Sequence, residues 1–596
     1  MYTIKINDRS YTSWTISPEV QINPSEQRLF SGDTFTLSGA SICDIIQSPI
    51  RSSANIPGVL ILKDNKTYGR SNQGKGKLLY RCIPDDVTIP TFLVAYEMKS
   101  VGFSKVFPNI YITFQFKEWT DKHPQGIVNQ VMGPVDEVDH FCEYQLYCKQ
   151  LNISLQKFNK DTSKKLQNYS SARFLEKYPT LEDRTAWKTF TIDPENSRDF
   201  DDGFSIRALS NGITMVSVYI ANVVLWMEIL DLWESFSRRV ATIYLPGDSN
   251  KKPMLPVVLS DSMCSLGEKT DRPAFAMDVF IREADNEIVD IQYAHCMIHV
   301  YKNYVYEAAK LRANPNYVLL KEATVALSKK HAYIPRVGDS HEVVCYWMTL
   351  MNHKCAQELL KHRTGIFRTF SIKPGGEEKT IDPSIMPAEI SSFIHIWNSH
   401  SSGEYAVYKE GCEEGLGHDI MGLDVYTHIT SPIRRMVDLL NMIQMELNRG
   451  SIGLSEKARR FHGAWLQDVA YINVAMKNIR RVQNDCSLLY SCKKDPAIME
   501  RVYTGYLFNK TAKETKLQSS GVANTVRKFT DEYCECMVYL PDLKITSRVM
   551  VEKDVDTTKP TSFQLYVFHD EERMKKKIRI QILPTSSSET KINHET

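Results

Sequence analysis

The chain has 596 residues, more than one hydrophobic core can serve, so several domains are expected. Its 42% hydrophobic and 24% charged residues are ordinary globular values, and 73 Lys plus Arg against 71 Asp plus Glu leave a formal charge of +2. That balance leaves nucleic acid open, because a local channel can be basic while the total is neutral. The absence of any apolar run near 18 residues, and of a basic then apolar leader, speaks against membrane spanning and secretion. Thirteen scattered Cys without zinc-like spacing read as thiols in a reducing compartment.

Residues 1 to about 50 alternate weakly and suit short strands or an extended arm. Short apolar runs follow at Val59–Leu62, Leu78–Ile83, Thr91–Tyr96, Asn109–Phe116 and Gly126–Gly133, separated by Gly, Pro and Asp turns. They predict one or two small barrels. Aromatics mixed with Lys66, Arg70, Lys75, Lys77 and Arg81 suit either a single-strand binding surface or plain barrel cores. Between about 140 and 188, Glu143–Asn152 and Ser171–Tyr178 read as connecting helices. The next region, to about 495, begins with strands at Phe204–Ile206 and Thr214–Ala221, then a helix over Met227–Ala241. Ala276–Ile281 and Glu287–Ile291 predict a hairpin around Asp285–Asn286, and beyond 300 helical periodicity dominates, as in Val343–Leu360. Five strand-like runs between Val502 and Leu583 predict another small barrel. The basic stripe Met574–Arg579 reads either as a phosphate grip or as a Lys-protected edge strand.

Two stretches carry chemistry. Thr191–Gly203 holds Asp193, Asp199, Asp201 and Asp202 between apolar strand segments. Crowded carboxylates repel one another unless cations offset them, and oxygen ligands without Cys or His select Mg²⁺ or Mn²⁺ rather than zinc. A solvated acidic turn is the plain alternative. Tyr426–Asn441 predicts a helix start with Ser431 as cap and Pro432 in the first turn. Arg434 and Arg435 would then stand where the helix dipole disfavours cations, and with free N–H groups they would suit a phosphate. An Arg434–Asp438 pair holding the helix down is the structural alternative. His428 just upstream reads as a structural histidine rather than a general base.

Together these motifs resemble the ribonuclease II/R (RNB) family, related to exosome-type exoribonucleases. The aspartate spacing and Thr430–Arg435 match its two signatures, and Val218–Asn222, Tyr244–Pro246, Pro253–Pro256, Cys264–Leu266 and Gly415–Gly417 occur in family order. The resemblance implies a multidomain α+β protein whose mixed central RNB-type catalytic domain is flanked by small OB-like barrels. The expected division is 1–50, N-terminal arm or partial barrel; 51–140, cold-shock/OB-like; 141–187, connecting segment; 188–497, RNB-type catalytic domain; 498–585, S1/OB-like barrel; 586–596, disordered tail. It further implies hydrolytic 3′→5′ degradation of single-stranded RNA with a free 3′ end to nucleoside 5′-monophosphates, with Mg²⁺ as cofactor and Mn²⁺ able to substitute. By position, Asp193, Asp199, Asp201 and Asp202 would bind or place the ions, Asp201, Asp202, Arg434 and Arg435 would be catalytic, and Tyr244 would stack on the terminal base. A monomeric, cytoplasmic protein is expected, without membrane contact. Asn222, Met436 and Asn441 depart from the family's Asp, Tyr and His, and the family's later Glu finds no match near Asn478–Cys486. These departures motivate the alternative of a catalytically weakened RNA-binding scaffold.

Overall fold

The computed structural model describes residues 1–583 except 40, 64, 72–75, 99–106, 170–173, 175, 248–250, 372–385, 399–402, 412 and 512–532. Lys75, half of the Ser171–Tyr178 segment and the 586–596 tail therefore lie outside the described residues.

The N-terminal residues form a sheet of their own. Strands β1 (Tyr2–Ile6), β2 (Trp14–Ser17), β3 (Thr34–Ser38) and β4 (Ser41–Gln47) pair in the order β2-β1-β3-β4. Period-2 alternation turns Ile4 and Ile6 inward and Lys5 outward. The next five strands, β5 (Ile56–Leu60), β6 (Leu78–Pro84), β7 (Phe92–Tyr96), β8 (Ile110–Glu118) and β9 (Gln125–Pro134), close into a barrel. Its aromatics Tyr80, Phe92, Tyr111 and Phe114 are fully buried, so they fill the core rather than offer a binding face. Phe30 stacks on Phe92 with centroids 5.9 Å apart, giving the first sheet and this barrel a common core.

Helices α1 (Val138–Cys148) and α2 (Gln156–Gln167) lead to a second closed barrel. It consists of β10 (Glu182–Asp193), β11 (Asp202–Ala208), β12 (Ile213–Ala221), β15 (Asp271–Arg282) and β16 (Glu287–Val305), with β10 and β16 closing it in parallel. The expected hairpin is present, with Arg282 opposite Glu287. Arg184 and Asp278 make a bidentate pair inside this barrel, both contacts 2.8 Å, and Ser217 Oγ donates to the same carboxylate at 2.6 Å. Arg184 also meets the exposed Glu182 at 2.7 Å, so Asp278→Ala leaves the buried guanidinium a single, solvent-facing acid and is expected to cost about 3–5 kcal/mol, read as a lower denaturant midpoint.

The Met227–Ala241 helix is shorter and earlier than its periodicity suggests. Helix α3 covers Val223–Ile229, and Asp231 at φ 48° ends it. Residues 240–242 instead run beside 434–436: Met436 N–H donates to Val240 at 2.8 Å and Thr242 N–H to Arg434 at 3.0 Å. These backbone bonds between distant segments outweigh local helix propensity. The two-residue strands β13 (Ile243–Tyr244) and β14 (Lys251–Lys252) follow.

Around the barrel stand α4 (Pro315–Ser328), α5 (Ser340–Lys361, with an Asp339/Glu342 capping box), β17 (Ile366–Thr369), α6 (Ala388–Asn398), β18 (Glu404–Val407), α7 (Met436–Arg449), α8 (Glu456–Gln467) and α9 (Val469–Lys494). The C-terminal strands β19 (Tyr503–Thr511), β20 (Tyr533–Leu540), β21 (Ile545–Glu552), β22 (Thr561–Asp570) and β23 (Lys575–Ile582) form one sheet ordered β21-β20-β19-β22-β23. Phe393 of α6 stacks on Tyr539 of that sheet at 3.8 Å. The basic stripe is a seam of ion pairs: Lys575 meets Asp85 and Lys576 meets Asp136, each at 2.6 Å, while Lys577 meets Asp570 at 2.5 Å. Two of its lysines thus tie β23 to the N-terminal barrel region.

Candidate active site

The ends of three strands bring the acids together. Asp193 closes β10 opposite Val305 of β16, and Tyr306 N–H donates to the Asp193 carbonyl at 3.1 Å. The loop to β11 is pinned from Ser265, whose Oγ donates to the Arg198 carbonyl at 2.7 Å and accepts from Phe200 N–H at 3.0 Å. Asp201 directly precedes β11 and Asp202 opens it, and along an extended chain neighbouring side chains face opposite ways. Asp201 turns to the arginine segment: its Oδ1 accepts from Ile433 N–H and its Oδ2 from Arg434 Nε, both at 2.9 Å. Asp202 feels the Asp193 charge instead.

The four aspartates therefore do different things. Asp199 is engaged by Lys251 Nζ and the Tyr244 hydroxyl, both at 2.9 Å. Asp201, 2% exposed, is engaged as above. Asp193 Oδ2 and Asp202 Oδ2 are shielded from solvent and have no hydrogen-bond partner. Burial chiefly pushes Asp193 up to about 7, with the nearby Asp201 charge adding to it. Burial raises Asp202 further, and Asp193 and Asp201 add to that. Asp201 also rises to about 7 through burial, although Arg434 and the Ile433 N–H pull it back. Among the described residues no three His, Cys, Asp or Glu side chains are arranged to hold one metal ion. The Asp193–Asp202 pair still fits a hard cation of the Mg²⁺ type, which is commonly held by one or two carboxylates with phosphate and water completing its shell.

The arginine motif folds differently from the sequence expectation. Helix α7 starts at Met436, with Arg435 as its N-cap residue, because Asp438 Oδ1 accepts both Ser431 N–H at 2.7 Å and Arg435 Nη2 at 2.8 Å. Residues 431–435 are thereby held as a turn that delivers Ile433 N–H and Arg434 to Asp201. Arg434 pairs with Asp201 rather than Asp438, its Nη2 donates to Ser431 Oγ at 3.0 Å, and its side chain remains 42% exposed. The Tyr244 ring is 41% exposed while its hydroxyl is tied to Asp199.

Sequence reasoning missed two groups. Lys251 lies just before the Pro253–Pro256 run and gains no role from the sequence. Tyr306 follows the last residue of β16, stacks on His341 at 3.7 Å, and feels the charges of Asp202 and Asp193. Only the register of β16 against β10 places it there, and one strand alone does not reveal that.

Residues 181–332 match the RNB domain family. Exoribonuclease 2 of Aeromonas hydrophila is 25% identical over 319 residues, covering 44% of this chain and 47% of that protein. The chain carries an RNB domain and is homologous to the ribonuclease II/R family. It spans about half the length of the curated relatives it matches. Among solved structures, Mycoplasma genitalium RNase R in complex with ribose-methylated single-stranded RNA aligns at TM-score 0.66 with 14% identity, covering 98% of this chain and 100% of that one. Yeast Ssd1, described as a pseudonuclease, aligns at TM-score 0.59 with 13% identity, covering 91% and 72%. These likenesses establish a multidomain α+β fold, with a central RNB-like region flanked by closed or curled sheets.

Within the RNB fold, the residues that depart from the family pattern serve packing. Asn222 is buried, caps α3 through Leu225 N–H, and meets His295 Nδ1 at 2.9 Å. Met436 is buried in the core, and Asn441 satisfies Ile366, Thr427 and His428. His428 is half-buried, with its Nδ1 2.8 Å from the Tyr405 hydroxyl. Burial of the ring, then Arg435 and Arg368, push its imidazole well below the usual value.

Proposed function

We propose that the chain is a hydrolytic 3′→5′ exoribonuclease acting on single-stranded RNA and releasing nucleoside 5′-monophosphates. One observation carries the reading: two shielded, partnerless carboxylate oxygens, on Asp193 and Asp202, lie beside an arginine oriented by a third carboxylate. Asp193 and Asp202 would hold Mg²⁺, or Mn²⁺ in its place. When bound, that ion polarises the phosphate and lowers the pKa of the attacking water. Asp201 orients Arg434, whose half-exposed guanidinium faces the charge that develops on the scissile phosphate. Asp199 holds the Tyr244 hydroxyl, which leaves the exposed ring free to stack on a terminal base without reading it. Tyr306 backs the same site. The cold-shock and S1 character of the flanking sheets, the domain limits set out above and a monomeric cytoplasmic protein belong to this reading.

The likeness to a pseudonuclease fold, and the lack of a pre-assembled three-ligand group among the described residues, favour a second reading, an RNB-type scaffold that binds RNA without cutting it. One assay separates the two. With Mg²⁺ and RNA bearing a free 3′ end, 5′-mononucleotides are expected, and EDTA is expected to stop their release. Binding without product, even with Mn²⁺, would leave the scaffold.

A further inference from the structure

Lys251 and Tyr244 stand opposite each other in the β13–β14 pair, so their side chains leave the same face of it. That register brings both to one carboxylate. Lys251 Nζ lies 2.9 Å from Asp199 Oδ1, and the Tyr244 hydroxyl donates to Asp199 Oδ2 at 2.9 Å. Both oxygens of Asp199 are therefore engaged. Lys252, one residue on, leaves the other face and meets Glu143 at 2.9 Å.

The Lys251 ammonium has a second acid. It donates to Asp261 Oδ1 at 2.9 Å, and Ser260 Oγ donates to the same oxygen at 2.5 Å. The Asp199 side chain is 9% exposed, so water screens its charge poorly and a cation must stand close by. Lys251 is that cation. Its ammonium is a compact point charge on a flexible stem, able to sit where a bare ion would, and its contacts with two carboxylates are charge-assisted.

The other acids complete the pattern. Asp201 has both oxygens engaged, by Ile433 N–H and by Arg434. Of the four aspartates, Asp193 and Asp202 keep a shielded oxygen with no hydrogen-bond partner. Centres that cleave phosphodiesters with two divalent ions hold them about 3.5–4 Å apart and need carboxylates open to both. Here one pair of carboxylates is open, and the other two are matched by side-chain cations.

We propose that Lys251 is a positioning residue that takes the place of a second divalent ion: it keeps Asp199 out of ion binding, limits the site to one ion, and holds Asp199 where it fixes the Tyr244 hydroxyl. The count of one rests on the reading of Asp193 and Asp202 as ion ligands; the exclusion at Asp199 does not.

The test is Mn²⁺ binding to the full chain without RNA, read from the electron paramagnetic resonance of the free ion, so that no turnover enters. The wild type is expected to bind one Mn²⁺. Lys251→Met keeps the stem and removes the charge, which leaves Asp199 and Asp261 facing the point an ammonium held, and it is expected to bind one ion more than the wild type. Asp199→Asn combined with Lys251→Met removes a neutral pair. It is expected to lose the extra ion and to keep the first within about fivefold of wild-type affinity, because no direct ligand is gone. The double variant leaves no uncompensated charge at 199, so it carries the test if Lys251→Met folds poorly. Two ions on the wild type, an unchanged count on Lys251→Met, or a larger loss in the double variant would overturn the role of Lys251. No ion on the wild type with one on Lys251→Met would instead overturn Asp193 and Asp202 as ligands and leave the exclusion at Asp199 standing.

Discussion

Asp202→Asn is expected to abolish mononucleotide release, by at least about a thousandfold, or roughly 4 kcal/mol in the barrier. The same substitution is expected to make the metal-free protein more stable. Asp202 Oδ2 is shielded and unpartnered, and the neighbouring Asp193 and Asp201 charges work against its ionised form. Asn keeps the shape and removes the charge that burial penalises, so a gain of about 1–2 kcal/mol is expected in EDTA at pH 8. Mg²⁺ is expected to raise the wild-type Tm and to leave the Asn variant nearly unmoved, because one of the two oxygens that would bind it has lost its charge. Thermal unfolding with and without Mg²⁺, beside a product assay, reads all three quantities. A variant that still releases mononucleotides would remove Asp202 from the chemistry. One that is less stable than wild type in EDTA would show that the carboxylate has a structural partner after all.

This opposition of activity and stability explains what the sequence makes legible. Four Asp in ten residues, flanked by apolar strand positions, announce that charge is being held against its electrostatic preference. The strand segments around them fold as their alternation indicates, from Phe204 through Thr214–Ala221 to the hairpin at Asp285–Asn286. The division of labour among the acids is not legible, because it depends on which partner reaches each carboxylate from far along the chain. Asp201 is claimed by residues 433 and 434, and Asp199 by residues 244 and 251. Local rules also misplace the start of α7. Ser431 and Pro432 satisfy every capping preference, yet Asp438 draws Ser431 and Arg435 into a turn, and residues 240–242 pair with the strand-like stretch that results. Of the two readings of the lysine stripe near the C-terminus, the edge strand agrees with β23 at the end of its sheet, but composition does not show the acids that two of its charges meet.

Arg434→Ala is expected to slow cleavage about 10²–10³-fold, the range for removing one preorganised donor to a developing anion. Two effects contribute, and they can be separated. On the proposed reading the guanidinium faces the scissile phosphate, and it also neutralises Asp201, which is 2% exposed and would keep only the Ile433 N–H. Arg434→Lys restores a charge but not the fork that reaches Asp201 through Nε and Ser431 through Nη2, so it is expected to recover less than about tenfold of the loss. Asp201→Asn leaves Arg434 present but less firmly held, and its effect on single-turnover rate is expected to overlap that of Arg434→Ala rather than add to it. In the double variant the combined loss should fall well short of the product of the two single losses, as it does for residues that act as one unit. Full additivity would mean that Asp201 acts on the reaction independently of Arg434. The carboxylate would then have to reach the metal or the water itself, and its bonds to Ile433 and Arg434 would have to break before each cut.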